Sequence, residues 1–176
     1  MILRKATLDD VALLEAWDEK PHVKWCTGFD PDKPLPEDEK EDWAKLVNLD
    51  VDWFEVLIGE VDGRAIGVVQ IIDPHLEETH YWGECEPHQR AIDIWIGEEA
   101  DLGCGYGTRM MEQAIARCFA APEVTNILID PLLKNEKAIR FYRRLGFADV
   151  GERWFDDDLC WVMELRRGVW EKRVAG

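Results

Sequence analysis

Three glycines alternate in Leu102-Gly103-Cys104-Gly105-Tyr106-Gly107-Thr108, and this run does more than any other to limit the folds open to the chain. Before it lies an apolar segment, Ala91 to Gly97, that reads as a strand. After it, from about Gly105 to Ala121, Met111, Ala114, Ile115, Cys118 and Phe119 recur at helical spacing. A strand, a glycine turn and an amphipathic helix therefore follow in immediate succession. Glycine lets a backbone approach an anion closely. The free amides of a helix start, with the positive end of the helix dipole, can cradle a pyrophosphate. A tight turn of purely structural purpose would need the same residues. The run lacks the lysine and hydroxyl residue of a Walker loop, and its G-x-G-x-G alternation is not a dinucleotide fingerprint.

The remaining elements fit around that unit. Ile2 to Ala6 reads as a first strand. Thr7, with Asp10 three positions on, forms a capping-box-like start for a helix carrying Leu8, Val11, Leu14 and Trp17. Glu19 to Pro36, rich in Pro, Asp and Gly, reads as a loop, and Glu37 to Asn48 as a short helix with Trp43, Leu46 and Val47 on one side. Trp53 to Glu60 and Ala65 to Asp73 are strand-like and are joined through Asp62-Gly63, a hairpin signal. Pro74 to Gln89 is a polar loop. Val124 to Ile129 reads as a strand, Asn135 to Leu145 as a helix, and two last strands flank Asp156-Asp157-Asp158. The predicted order is β-α-α-β-β-β-α-β-α-β-β, with no repeat or long linker to divide residues 1 to 176, so a single domain is expected.

Composition narrows the partners. A formal charge of -16 and a pI near 4.6 argue against nucleic acid and anionic membranes, which demand basic patches, and favour a cationic ligand. Asp73 to Asp101 holds nine acidic residues against the single Arg90, and Asp156 to Asp158 adds three. Such a surface can attract a cation or simply be solvated. No signal peptide or run of ~20 apolar residues is visible, which predicts a cytoplasmic location. Five scattered cysteines without a CxxC pair argue against a disulfide framework. Cys85 and His88, with His80 nearby, lack the four tightly paired ligands of a structural zinc site, so no metal is expected.

The glycine run resembles motif A of the GNAT acetyltransferases, Q/R-x-x-G-x-G/A, with Leu102 in place of the usual Gln or Arg. Asn135, Ala138, Tyr142, Gly146 and Phe147 match a second GNAT pattern, N-x-x-A-x-x-x-Y-x-x-x-G-F. The likeness is best over Arg90 to Phe147 and is similar in particular to aminoglycoside 6'-N-acetyltransferases. It implies an α/β (α+β) GNAT fold, a central mixed, mostly antiparallel sheet of about seven strands flanked by about four helices. It implies acetyl-coenzyme A as cosubstrate, held by Ile94, Trp95, Ile96, Leu102, Gly103, Cys104, Gly105, Tyr106, Gly107, Thr108, Asn135 and Ala138. It also implies Asp93 as general base, Tyr142 as proton donor to the departing thiolate, and Trp25, Trp82, Asp93 and Asp130 as contacts of the acceptor.

Elementary chemistry is compatible with those roles. An ammonium must lose a proton before its lone pair can attack a thioester, and a nearby carboxylate can take it. The developing oxyanion needs a donor, for which the resemblance suggests a main-chain amide of the Asp93 to Ile96 strand. Read on their own, Tyr142 could equally pack beside Ala138 and Leu145, and Asp93 could be a solvated strand residue. The expected reaction is direct acetyl transfer, within a ternary complex, to a small polycationic amine, foremost the 6'-amine of an aminoglycoside. A polyamine, an amino-sugar, a siderophore precursor or a protein N-terminus remain alternative acceptors, and a noncatalytic acyl-coenzyme A-binding module an alternative class. Either a monomer or a homodimer would satisfy the sequence.

Overall fold

The computed structural model describes residues 1–28 and 41–176. Seven strands form one sheet in the order β1-β2-β3-β4-β5-β7-β6. They are β1 (Ile2–Lys5), β2 (Phe54–Val61), β3 (Arg64–Ile72), β4 (Gln89–Ile96), β5 (Asn126–Ile129), β6 (Ala148–Phe155) and β7 (Asp158–Arg166). Only β4 and β5 run parallel; every other neighbour is antiparallel. The helices among the described residues are α1 (Val11–Asp18), α2 (Pro21–Cys26), α3 (Trp43–Val47), α4 (Tyr106–Ala120), α5 (Glu136–Leu145) and α6 (Arg167–Ala175).

The expected order thus gains two helices. The loop expected over Glu19 to Pro36 contains α2, whose first position is Pro21, where a missing N–H is harmless and the fixed φ suits a helix. Of the helix expected over Glu37 to Asn48, the described part is helical over Trp43–Val47, and Asp42 caps it by accepting from Lys45 N at 3.0 Å. Positions 29 to 40, parts of both expectations, lie outside the described residues. The second addition, α6, is anchored by Arg167, whose guanidinium donates to the carbonyls of Phe119, Ala121 and Val124 at the end of α4. The Thr7–Asp10 box is present, with Thr7 N donating to Asp10 at 2.9 Å, but Leu8 points to solvent.

Strand alternation sorts the core. Ile92 of β4 joins Met110, Met111, Ala114 and Ile115 of α4 and Tyr142 and Leu145 of α5 in the largest cluster, and Ile94 and Ile96 pack against it. Trp95 faces the other way, toward Trp17 and Trp43. A third cluster holds Trp82, Ala91, Leu132 and Phe155. At Gly97, where β4 ends, a Cβ would overlap the indole of the buried Trp17, so this glycine is where α1 seats on the sheet. We predict that Gly97→Ala lowers unfolding free energy by about 2 kcal/mol through overpacking, measured by urea denaturation; an unchanged midpoint would contradict this packing.

Candidate active site

The sheet splits where β4 passes β5. The two pair only from Gln89↔Asn126 to Ala91↔Leu128. Beyond Ile129 the chain stays with β7: Trp161 N donates to Pro131 O at 2.8 Å, and Leu133 N to Leu159 O at 2.8 Å. Meanwhile β4 continues beside β3, with Asp93 opposite Gln70 and Ile96 opposite Gly67. Gly97 N bonds Ile66 O, so by antiparallel alternation the peptide groups of Ile94 and Ile96 turn away from β3, into the opening. His22 of α2 confirms the direction, since its Nε2 lies 2.9 Å from Ile96 O.

At one end of this opening is the glycine loop. Gly103 and Gly105 take the left-handed φ values 75° and 80°, and a Cβ on either would meet nothing within 4 Å. Gly105 caps α4 without a side-chain acceptor, which leaves the first-turn amides free to receive an external anion. Open space, free amides and a long helix fit a pyrophosphate. Of the residues expected to hold the cosubstrate, Leu102 to Thr108 form this loop and Ile94 and Ile96 present main chain to the opening. Trp95 does neither, since its peptide faces β3 and its ring packs on Trp43 at 6.0 Å. Asn135 caps α5 by accepting from Ala138 N at 3.1 Å, so this pair orients the helix that carries Tyr142.

At the other end, carboxylates gather. Asp93 extends from the face of β4 opposite α4, and Asp130 follows the last residue of β5. Loss of water around Asp93, then the charges of Asp130 and Glu41, push its carboxyl well above the usual carboxylate range. Burial also raises Asp130, opposed by the Tyr81 hydroxyl, which donates to Asp130 Oδ2 at 2.6 Å. Glu41, though solvent reaches it, is crowded by protein and by Asp18 and rises to about 7; Gln70 Nε2 donates to it at 3.2 Å. Tyr142 is 8% exposed, packs on Phe147, and senses both Asp93 and Asp130, so its hydroxyl is held firmly protonated. The Tyr142 environment also includes Cys26 of α2.

The aromatic expectations separate. Trp25 lies on α2, 47% exposed. Trp82 is 5% exposed and wedged edge-on against Phe155, whereas its neighbour Tyr81, 46% exposed, stacks on Phe155 at 4.6 Å and reaches Asp130. Tyr81, Glu41 and Asp18 are site residues that the sequence did not single out. Gly28 abuts the Asp158 carboxylate, so the end of α2 meets the β6–β7 turn.

The acidity of Asp73 to Asp101 is less available than expected. Asp73 is paired with Arg90 at 2.6 Å, Asp101 with Arg64 at 2.6 Å and Glu98 with Lys20 at 2.9 Å, while Glu77 accepts from the amides of Thr79 and Tyr81. Of that stretch, Asp93 is the carboxylate the split brings together with Asp130 and Glu41.

A cradle for a pyrophosphate, an exposed strand edge and a carboxylate pair beside a protonated tyrosine match the machinery of acyl transfer to an amine. The profile of the acetyltransferase (GNAT) domain matches residues 6–155. This chain belongs to the GNAT acetyltransferase family. Among curated relatives, the acetyltransferase is 31% identical over 171 residues to aminoglycoside N(6')-acetyltransferase type 1 of Klebsiella pneumoniae, covering 97% of this chain and 85% of that protein. It is 38% identical over 98 residues to a kanamycin resistance protein of Rhizobium radiobacter, covering 55% of this chain and 91% of that one. Its fold superposes on the crystal structure of aminoglycoside acetyltransferase AAC(6')-Ib in complex with coenzyme A and kanamycin with a TM-score of 0.83 and 29% identity, covering 97% of this chain and 96% of that one.

The Asp93 carboxyl also sets a pH dependence for the acetyltransferase's stability. Its raised folded-state pKa means that the native state holds this proton more tightly than the unfolded chain. Stability from this group is therefore greatest below the unfolded value of roughly 4 and is lost as pH rises toward the folded one. Asp93→Asn cannot ionise. Its Tm should exceed the parent's by on the order of 3 °C at about pH 8, with the gap closing toward about pH 4. A gap independent of pH, read by calorimetry, would place Asp93 in an ordinary aqueous setting.

Proposed function

We propose that the enzyme transfers acetyl from acetyl-coenzyme A to a primary amine of an aminoglycoside, the 6'-amine foremost, directly within a ternary complex. The observation that carries this reading is the meeting of Asp93, Asp130 and Tyr142 at the point where β4 and β5 part. There a cationic amine can approach the open edge of Ile94 and Ile96. The full-length likeness to an aminoglycoside N(6')-acetyltransferase supports the acceptor class.

Bound acetyl-coenzyme A supplies an activated acetyl thioester; Cys104 to Thr108 would hold its pyrophosphate, and Ile94 and Ile96 its chain. Asp130 and Glu41 hold the acceptor's ammonium groups, with Trp25 and the Tyr81–Trp82 wall against its rings. An approaching cation drives the protons off the Asp93 and Asp130 carboxyls, because opposite charge favours the ionised form. Asp93 then takes the proton of the reacting ammonium. The Ile94 N–H faces the split and stabilises negative charge on the carbonyl oxygen. The freed lone pair would attack the thioester carbonyl, the C–N bond forming as the C–S bond breaks; Tyr142, held protonated, would give its hydroxyl proton to the departing sulfur and be reprotonated by the second proton that the nitrogen loses on becoming an amide. All these residues lie on one chain, so a monomer suffices, and a cytoplasmic enzyme would find its acetyl donor at hand.

Thiol release from acetyl-coenzyme A with kanamycin, compared with spermidine and a basic peptide, tests the acceptor; faster turnover of spermidine would replace the aminoglycoside by a polyamine. Tyr142→Phe keeps the ring and loses the proton, so we predict a fall in kcat of about 10²-fold with little change in acceptor binding. Tyr81→Phe removes a donor that holds the Asp130 carboxyl down. The acid limb of kcat/KM for kanamycin should therefore move to higher pH; no movement would dissociate Asp130 from acceptor binding.

A further inference from the structure

The glycine loop has little support of its own. Leu102 to Gly105 are exposed, and Gly103 and Gly105 project into open space. What holds the loop comes from another part of the sheet. Arg64, at the start of β3, donates Nη1 to Asp101 Oδ2 at 2.6 Å and Nη2 to Asp101 Oδ1 at 2.9 Å. The same guanidinium also senses the Tyr106 side chain electrostatically. One arginine therefore ties Asp101, two residues before Gly103, to the start of β3. Asp101 is 8% exposed, and its carboxylate precedes amides suited to an anion, a placement that would repel a pyrophosphate if the charge stood alone. Leu102 brings no compensating charge. A planar fork bonded to both oxygens cancels that charge and fixes its direction together, which a lysine ammonium would do only in part.

We propose that Arg64 is the positioning residue of the cofactor loop: by pairing with Asp101 it fixes and neutralises the carboxylate that leads into the glycines and keeps the loop receptive to the coenzyme A pyrophosphate. This rests on the assignment of Cys104 to Thr108 to that pyrophosphate and is independent of the acceptor.

The test is calorimetric titration of coenzyme A into the full chain without acceptor, with thermal unfolding recorded for each variant. Arg64→Ala should weaken coenzyme A binding about 10-fold, or about 1.4 kcal/mol, and Arg64→Lys by less. Arg64→Ala combined with Asp101→Asn should recover most of the loss, because no carboxylate is left to repel the phosphates. In steady state, Arg64→Ala should raise the KM for acetyl-coenzyme A while leaving kcat and the acceptor KM near parental values. Parental affinity in Arg64→Ala would overturn the proposal, as would a loss that Asp101→Asn does not recover, since Arg64 would then not act through Asp101. Gly105→Asp separates the two assignments. Undiminished affinity in that folded variant would dismiss the loop as the pyrophosphate site, whereas weak binding there beside parental binding in Arg64→Ala would dismiss Arg64 alone.

Discussion

The structure turns on the parting of β4 and β5. A parallel pair normally continues until one strand ends, yet here both chains go on and simply choose different neighbours. Beyond Ile129 the chain remains bonded to β7 through Pro131 and Leu133, while β4 remains bonded to β3 as far as Gly97. Unpaired peptide groups are costly inside a protein and useful at a binding site. The peptide groups of Ile94 and the Ile96 N–H face the opening, while the Ile96 carbonyl is met by His22, and the divergence makes room for a ligand. The same parting sets Asp93 of β4 and Asp130, just past the end of β5, on either side of the opening.

Around that opening the molecule keeps opposite electrostatics at opposite ends. The glycine loop offers amides and the positive end of α4, suited to phosphate. The far end offers carboxylates whose own ionisation is suppressed by burial and by one another. Such carboxylates prefer company of opposite sign, which suits them to the cationic acceptor proposed above. Elsewhere several of the more buried carboxylates are paired with arginines: Arg4 holds Asp10 at 2.7 Å, Arg64 holds Asp101 and Arg90 holds Asp73.

Much of this was legible in the sequence, and for physical reasons. The strand, glycine turn and helix around Gly103 to Gly107 are local, and so are the α5 cap at Asn135 and the Asp62-Gly63 hairpin. Residues whose roles come from distant partners were not legible. The α2 helix has six residues and depends on tertiary ties, His22 to Ile96 and Lys20 to Glu98, across a segment whose prolines suggest a loop. The α6 helix buries only Trp170 and has no apolar stripe to announce it. How much of the acidic stretch is neutralised could not be read locally, because Asp101 finds its arginine 37 positions away. Tyr81 was passed over beside Trp82 because a loop has no periodicity to say which ring is buried; its place in an aromatic pair near acidic residues was the one available signal.

We propose that the half-buried carboxyls of Asp93 and Asp130 at the β4–β5 split, raised above the usual carboxylate range by loss of water, receive the cationic acceptor. Titrating kanamycin into the coenzyme A complex at about pH 7, in buffers of different ionisation enthalpy, counts the protons exchanged on binding. The account predicts net proton release in the parent and a smaller release in Asp93→Asn, because the incoming cation drives ionisation of carboxyls whose pKa values stand above the usual range. Binding with no proton release, or with the same release in Asp93→Asn, would contradict it.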